Sequence, residues 1–160
     1  MELAYTAIGR AVFAAQLFEV ALTPIFEGFK MITDPAYREK TGGHISAGAF
    51  KVSVATVVKT LAATGDIAPG LQERLLAYSE DRHTLIHRWI INNGWPDDGN
   101  EEGFRPIVEL ANRVEREAKL LTRALTGYMV RFADPTWAEA NRAEYEERMR
   151  QLFIRAHIDG

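Results

Sequence analysis

The chain has 160 residues, with 19 basic and 22 acidic side chains, four histidines and no cysteine. That length suits one domain burying its own core, and the missing cysteines exclude disulfides, iron–sulfur clusters, thiolate zinc sites and thiol nucleophiles. A formal net charge of −3 argues against a broad basic surface gripping nucleic acid non-specifically, but leaves room for a small cationic site.

Apolar residues recur at three- and four-residue intervals, and no stretch alternates for long. The pattern predicts an all-α fold: a compact antiparallel bundle of about five helices, forming a single domain over residues 1–160. The first helix is expected over about Ala4 to Ile32, bent at Pro24. Its most apolar part, Ala11 to Phe29, is interrupted by Gln16, Glu19, Pro24 and Glu27, which is unlike a membrane span. The Met1-Glu2 start is unlike a secretory signal. The expectation is a cytoplasmic protein with no membrane attachment.

A loop follows from Thr33-Asp34-Pro35 to Thr41-Gly42-Gly43-His44, with Ser46 as N-cap of a second helix ending near Ala63. Thr64-Gly65-Asp66 and Pro69-Gly70 lead to a third helix, about Leu71 to Asn93. The turn formers Gly94 to Asn100 precede a fourth, about Arg105 to Phe132, with the stripe Ile107, Ala111, Val114, Ala118, Leu121, Leu125, Tyr128 and Phe132. Asp134-Pro135 then starts a last helix to about Ile158, with Trp137, Ala140, Tyr145, Met149, Leu152, Phe153 and Ala156 on its apolar stripe.

The third helix carries the functional signal. On an ideal helix Leu71, Leu75, Tyr78, Leu85, Ile86 and Trp89 share one face, with Arg82 in its middle. His83 and His87 fall on a second strip with Leu76 and Ile90. A guanidinium on an apolar face keeps its charge and needs partners. Glu19, with Gln16, is the expected buried partner; Asp81 and Glu80 are local alternatives. His83 and His87 lie about 40° apart on the helix and can face one metal. That site lacks the glutamate of a zinc-protease motif, and His44 and His157 lie far along the chain.

Elsewhere the functional signals are fainter. Gly42-Gly43-His44 and Gly48 suggest an anion cradle without a preceding strand or completing lysine. Arg113, Arg116 and Arg123 form the one candidate basic patch, yet Glu115 and Glu117 interleave them as on a solvated helix face. Trp89 and Trp137 read as core, and the loop Trp95 to Gly103 is acidic. No cofactor-binding pattern is present.

The run Arg82-His83-Thr84-Leu85-Ile86-His87 resembles the signature of HEPN domains (the higher eukaryotes and prokaryotes nucleotide-binding family): an arginine, a polar residue, then a histidine four to six residues after the arginine. The following Arg88-Trp89-Ile90-Ile91 is similar to the apolar continuation in many members, and Gln16 to Glu19 in a long first helix is similar to bacterial ones. The resemblance implies an all-α bundle acting as a metal-independent RNase of toxin–antitoxin or phage-defence type, without cofactor. It implies a homodimer whose two motifs line one cleft, with RNA as substrate and an antitoxin or other protein as partner. His87 would be the general acid or base, Arg82 would hold the phosphate and His83 would orient the substrate. Two other readings stand beside it: a non-catalytic nucleotide-binding or protein-interaction module, and a metal-dependent hydrolase using His83 and His87.

On one ideal helix Arg82 and His87 are about 140° apart, so meeting on one phosphate is awkward. Two copies across a two-fold axis would solve this, one chain's arginine meeting the other's histidine.

Overall fold

The computed structural model describes residues 1–63, 67, 69–133 and 135–147. These form helices α1 (Glu2–Thr33), α2 (Pro35–Thr41), α3 (Val54–Ala63), α4 (Pro69–His83), α5 (Trp89–Asn93), α6 (Glu101–Ala133) and α7 (Pro135–Ala140), plus a 3-10 turn at Ala47–Lys51 and a π-helical turn at Thr84–Arg88. Residues 142–147 are also helical, and no strand occurs among the described residues. The all-α expectation holds. The turn at Thr64-Gly65-Asp66, the cap Asp134, the stripe positions Met149, Leu152, Phe153 and Ala156, and His157 lie outside the described residues, as do the side chains of Tyr128 and Phe132.

Several boundaries differ from the sequence reading for local chemical reasons. Asp34 caps α2 by accepting the Ala36 and Tyr37 amides, with Pro35 at the first helical position. The segment is therefore helical, not the loop that its turn-forming residues predict. Ser46 makes no side-chain cap and precedes only the 3-10 turn. The cap of α3 is Ser53, whose hydroxyl accepts the Thr56 amide at 3.2 Å. Helix α6 starts four residues early because Asn100 accepts the Gly103 amide at 2.9 Å. A Cβ on Gly103 would stand 2.7 Å from the Asn100 amide nitrogen, so the close cap favours glycine.

By packing, the chain forms two compact units: Met1–Phe18 with Ser53–Lys119, and Glu19–Val52 with the chain from Leu120 on. In the first, α1 turns its small residues inward, burying Ala4, Ala7, Ala11, Ala14 and Ala15 together with Phe18. Helix α6 buries Phe104, Ile107, Ala111, Val114 and Ala118, and α3 packs on α4. Antiparallel packing holds for α4 against α6, where Arg74 meets Glu117 and Asp81 meets Arg113. By contrast, α1 and α6 are parallel neighbours. Leu3 and Ala4 line a cleft with Phe104 and Val108, and Arg10 reaches Asn112 and Glu115 further along.

In the second unit the buried apolar residues include Leu22, Phe26, Phe29, Ala49, Leu121 and Leu125. Its buried carboxylate is Glu27, 3 % exposed. Tyr37 donates to it at 2.6 Å and Lys30 pairs with it at 2.5 Å. Burial works against the Lys30 charge, yet the hydrogen bonds and charges of Glu27 and Tyr37 together raise its pKa. By length and composition α1 matches a membrane-crossing helix, and 44 % of its most apolar window is buried in the protein. A core helix gives the same composition.

Candidate functional site

Helix α4 is fixed before it reaches the motif. Arg74 donates two hydrogen bonds to Glu117, at 2.6 and 2.9 Å. Two turns later Asp81 accepts a second bidentate pair from Arg113 at the same distances. Between them Leu75 and Tyr78 are fully buried, and Tyr78 meets the Phe18 ring edge-on at 5.0 Å. Bidentate arginine–carboxylate pairs fix orientation as well as distance, so this stretch is held in register against α6. Asp81, a candidate partner of Arg82, is therefore committed to Arg113. The Asp81–Arg113 hydrogen bonds, ahead of opposing burial, raise the Arg113 pKa.

At Thr84 the helix changes pitch. The Trp89 amide donates to the Thr84 carbonyl five residues back, the bond that defines a π turn. Such turns insert one residue into an α-helix and are frequent at functional sites. Arg88, where the turn ends, has φ −115° and ψ −22°, away from the helical mean. Thr84 and Ile86 are β-branched, which crowds the preceding turn. Gly94, with φ 71°, then ends α5 in a backbone conformation that favours glycine.

The inserted residue changes which side chains share a face. It reduces the ideal-helix separation of about 140° between Arg82 and His87, because residues five apart across a π turn approach the relation of residues four apart in an α-helix. Arg82 and His83 are half-buried and His87 is exposed, while the Arg82 Nε is itself buried. The His83 and His87 rings lie 5.3 Å apart, tilted by 48°. The same insertion overturns one core assignment: Ile86 is 37 % exposed, although Leu71, Leu75, Tyr78 and Leu85 are buried as expected. Trp89 and Trp137 are half-buried. Gln16 is exposed and Glu19 half-buried; Arg82 belongs to the first unit and Glu19 to the second.

The remaining candidates are absorbed by structure. Arg113 is held by Asp81, and Glu117, one of the interleaved acids, by Arg74. Of the expected basic patch, Arg113 is thus committed to an ion pair. The Gly42 and Gly43 amides close the end of α2 on Glu39 and Arg38 carbonyls, so they are unavailable as an anion cradle. Trp95 packs against Tyr5 at 5.4 Å and Phe104 at 5.3 Å. No group of three or more metal-ligating side chains exists among the described residues, leaving His83 and His87 as half a metal site. The cleft of about 310 Å³ lined by Met1, Leu3, Glu101 and Phe104 contains none of the motif residues.

No family model, curated protein or solved structure matches the chain.

Proposed function

We propose that the protein is a HEPN-like, metal-independent endoribonuclease of toxin or defence type, acting in the cytoplasm as a homodimer. The observation that carries this reading is the coincidence of the π turn with the Arg82-to-His87 run. His87 accepts the proton of a ribose 2′-hydroxyl, and the freed oxygen bonds to the neighbouring phosphorus. The bond from phosphorus to the 5′-oxygen breaks, and the leaving oxygen takes its proton from an imidazolium or from water. The products are a 2′,3′-cyclic phosphate and a 5′-hydroxyl end. Imidazole suits this work because its ordinary pKa lies near neutrality. Arg82 holds the phosphate and stabilises its growing charge, and His83 orients it.

A second reading has its own support. Leu76, Ile90 and Ile91 are 44, 63 and 79 % exposed beside the motif. Apolar exposure of that kind marks interaction surfaces, which suits either a dimer face or a non-catalytic interaction module binding a protein partner. Incubation with mixed single-stranded RNA in EDTA separates the readings. The RNase reading expects cleavage with cyclic-phosphate ends. Cleavage only after metal is added would transfer the assignment to a His83–His87 hydrolase, and no cleavage in either condition would favour the interaction module.

A further inference from the structure

The RNase reading leaves one cation beside the site unused. Residues 82–96 hold Arg82, His83, His87 and Arg88 and not one carboxylate, in a chain with 22 acidic residues. Elsewhere in the first unit four arginines pair with acids: Arg10 with Glu115, Arg74 with Glu117, Arg105 with Glu102 and Arg113 with Asp81. Arg88 is exposed and makes no ion pair or side-chain hydrogen bond among the described residues. A guanidinium stays charged at any physiological pH and matches phosphate with two parallel N–H donors.

The π turn gives this arginine its place. Arg88 is five residues after His83, the spacing that a π turn brings onto one side of the helix. His83 in turn touches His87 ring to ring at 5.3 Å. By that spacing the cation falls on the side of the helix that carries the imidazole pair. In an uninterrupted α-helix it would turn away from His83.

We infer that Arg88 is a second phosphate contact of this site, holding the phosphodiester next to the scissile one. The inference rests on the RNA-cleaving reading. It makes the substrate a strand with at least two phosphodiesters, and it makes Arg88 a binding residue governing affinity more than turnover.

The test compares Arg88→Gln and Arg88→Lys with the parent, in EDTA, on a dinucleoside monophosphate and a longer single-stranded oligoribonucleotide. Arg88→Gln should raise KM for the oligonucleotide about tenfold, the scale of one charged hydrogen-bonded contact, with kcat within about twofold. KM for the dinucleotide should not move, because that substrate has no second phosphate. Arg88→Lys, which keeps the charge but not the fork, should fall between. Binding of the oligonucleotide to Arg88→Gln should also lose about one unit of salt slope. Equal KM changes on both substrates, a fall in kcat alone, or no change would overturn the inference while the RNase reading stands. A parent that neither binds nor cleaves RNA would overturn both.

Discussion

The helical run from Pro69 to Asn93 is two regions with opposite character. Before Thr84 it is architecture: Leu75 is 0 % exposed and Tyr78 1 %, and two bidentate ion pairs tie it to α6. From Ile86 on it is mostly surface: Trp89 is half-buried, His87 and Arg88 are exposed and Ile91 is 79 % exposed. The π turn separates them. A rigid upstream segment fixes where the turn sits, and the turn presents imidazoles and a guanidinium on chain free of carboxylates. Sites built on a fixed helix hold geometry better than sites on loops, while ligand-facing segments come from the less constrained part of a fold.

The contrast can be broken most forcefully by cavity formation. Leu75→Ala should cost about 2–5 kcal/mol, whereas Ile91→Ala should stay within about 0.5 kcal/mol. Urea melts of the two variants check this, and equal losses would erase the distinction. Next comes removal of the inserted residue. Deleting Thr84 should restore an α-helical pitch and reduce cleavage by about 10²-fold, the scale expected when catalytic groups are misplaced by an ångström or so. Circular dichroism should show helix content unchanged, and full activity would show that the turn is incidental.

Smaller effects probe the clamps. Asp81→Asn removes one carboxylate from a pair whose side chains are 28 and 49 % exposed. The loss should be below about 1 kcal/mol and shrink in high salt, as denaturation at two ionic strengths would show. Smallest is the acid response of Glu115. The Lys119 hydrogen bond, opposed by burial and aided by the charges of Lys119 and Arg10, holds its carboxyl below the ordinary range. A lowered folded-state pKa means the stabilisation is complete above the unfolded value, roughly 4, and is lost as pH falls through the folded one. Glu115→Gln should therefore be slightly less stable than the parent at neutral pH and converge with it in acid. A constant difference across that range would refute the assignment.

Much of the fold was legible because helical periodicity is local. The stripe Leu71, Leu75, Tyr78 and Leu85 follows from 3.6-residue repetition and is buried. The π turn was not legible. One inserted residue leaves no period of its own, so extrapolating an ideal helix past Thr84 put Ile86 in the core and left Arg82 and His87 too far apart. Two further signals lie in the sequence itself: Asp34-Pro35 repeats the cap pattern that predicts a helix start at Asp134-Pro135, and Asn100 before Glu101-Glu102 marks the start of α6. The Asp81–Arg113 pair spans 32 positions, and no rule of local spacing reports such a partner. For the same reason Glu27, joined to Tyr37 across a helix boundary, read only as an interruption of an apolar run.

On the proposed reading, the exposed imidazole of His87, on the π turn, performs acid–base chemistry on RNA. The most direct measurement is the single-turnover rate on single-stranded RNA in EDTA for the parent and for His87→Ala, with matched circular dichroism and melting. Because His87 is exposed, the variant should melt like the parent while its rate falls by about 10²–10⁴-fold, the range for loss of a general acid or base. A His87→Ala protein that cleaves RNA as fast as the parent would contradict the account.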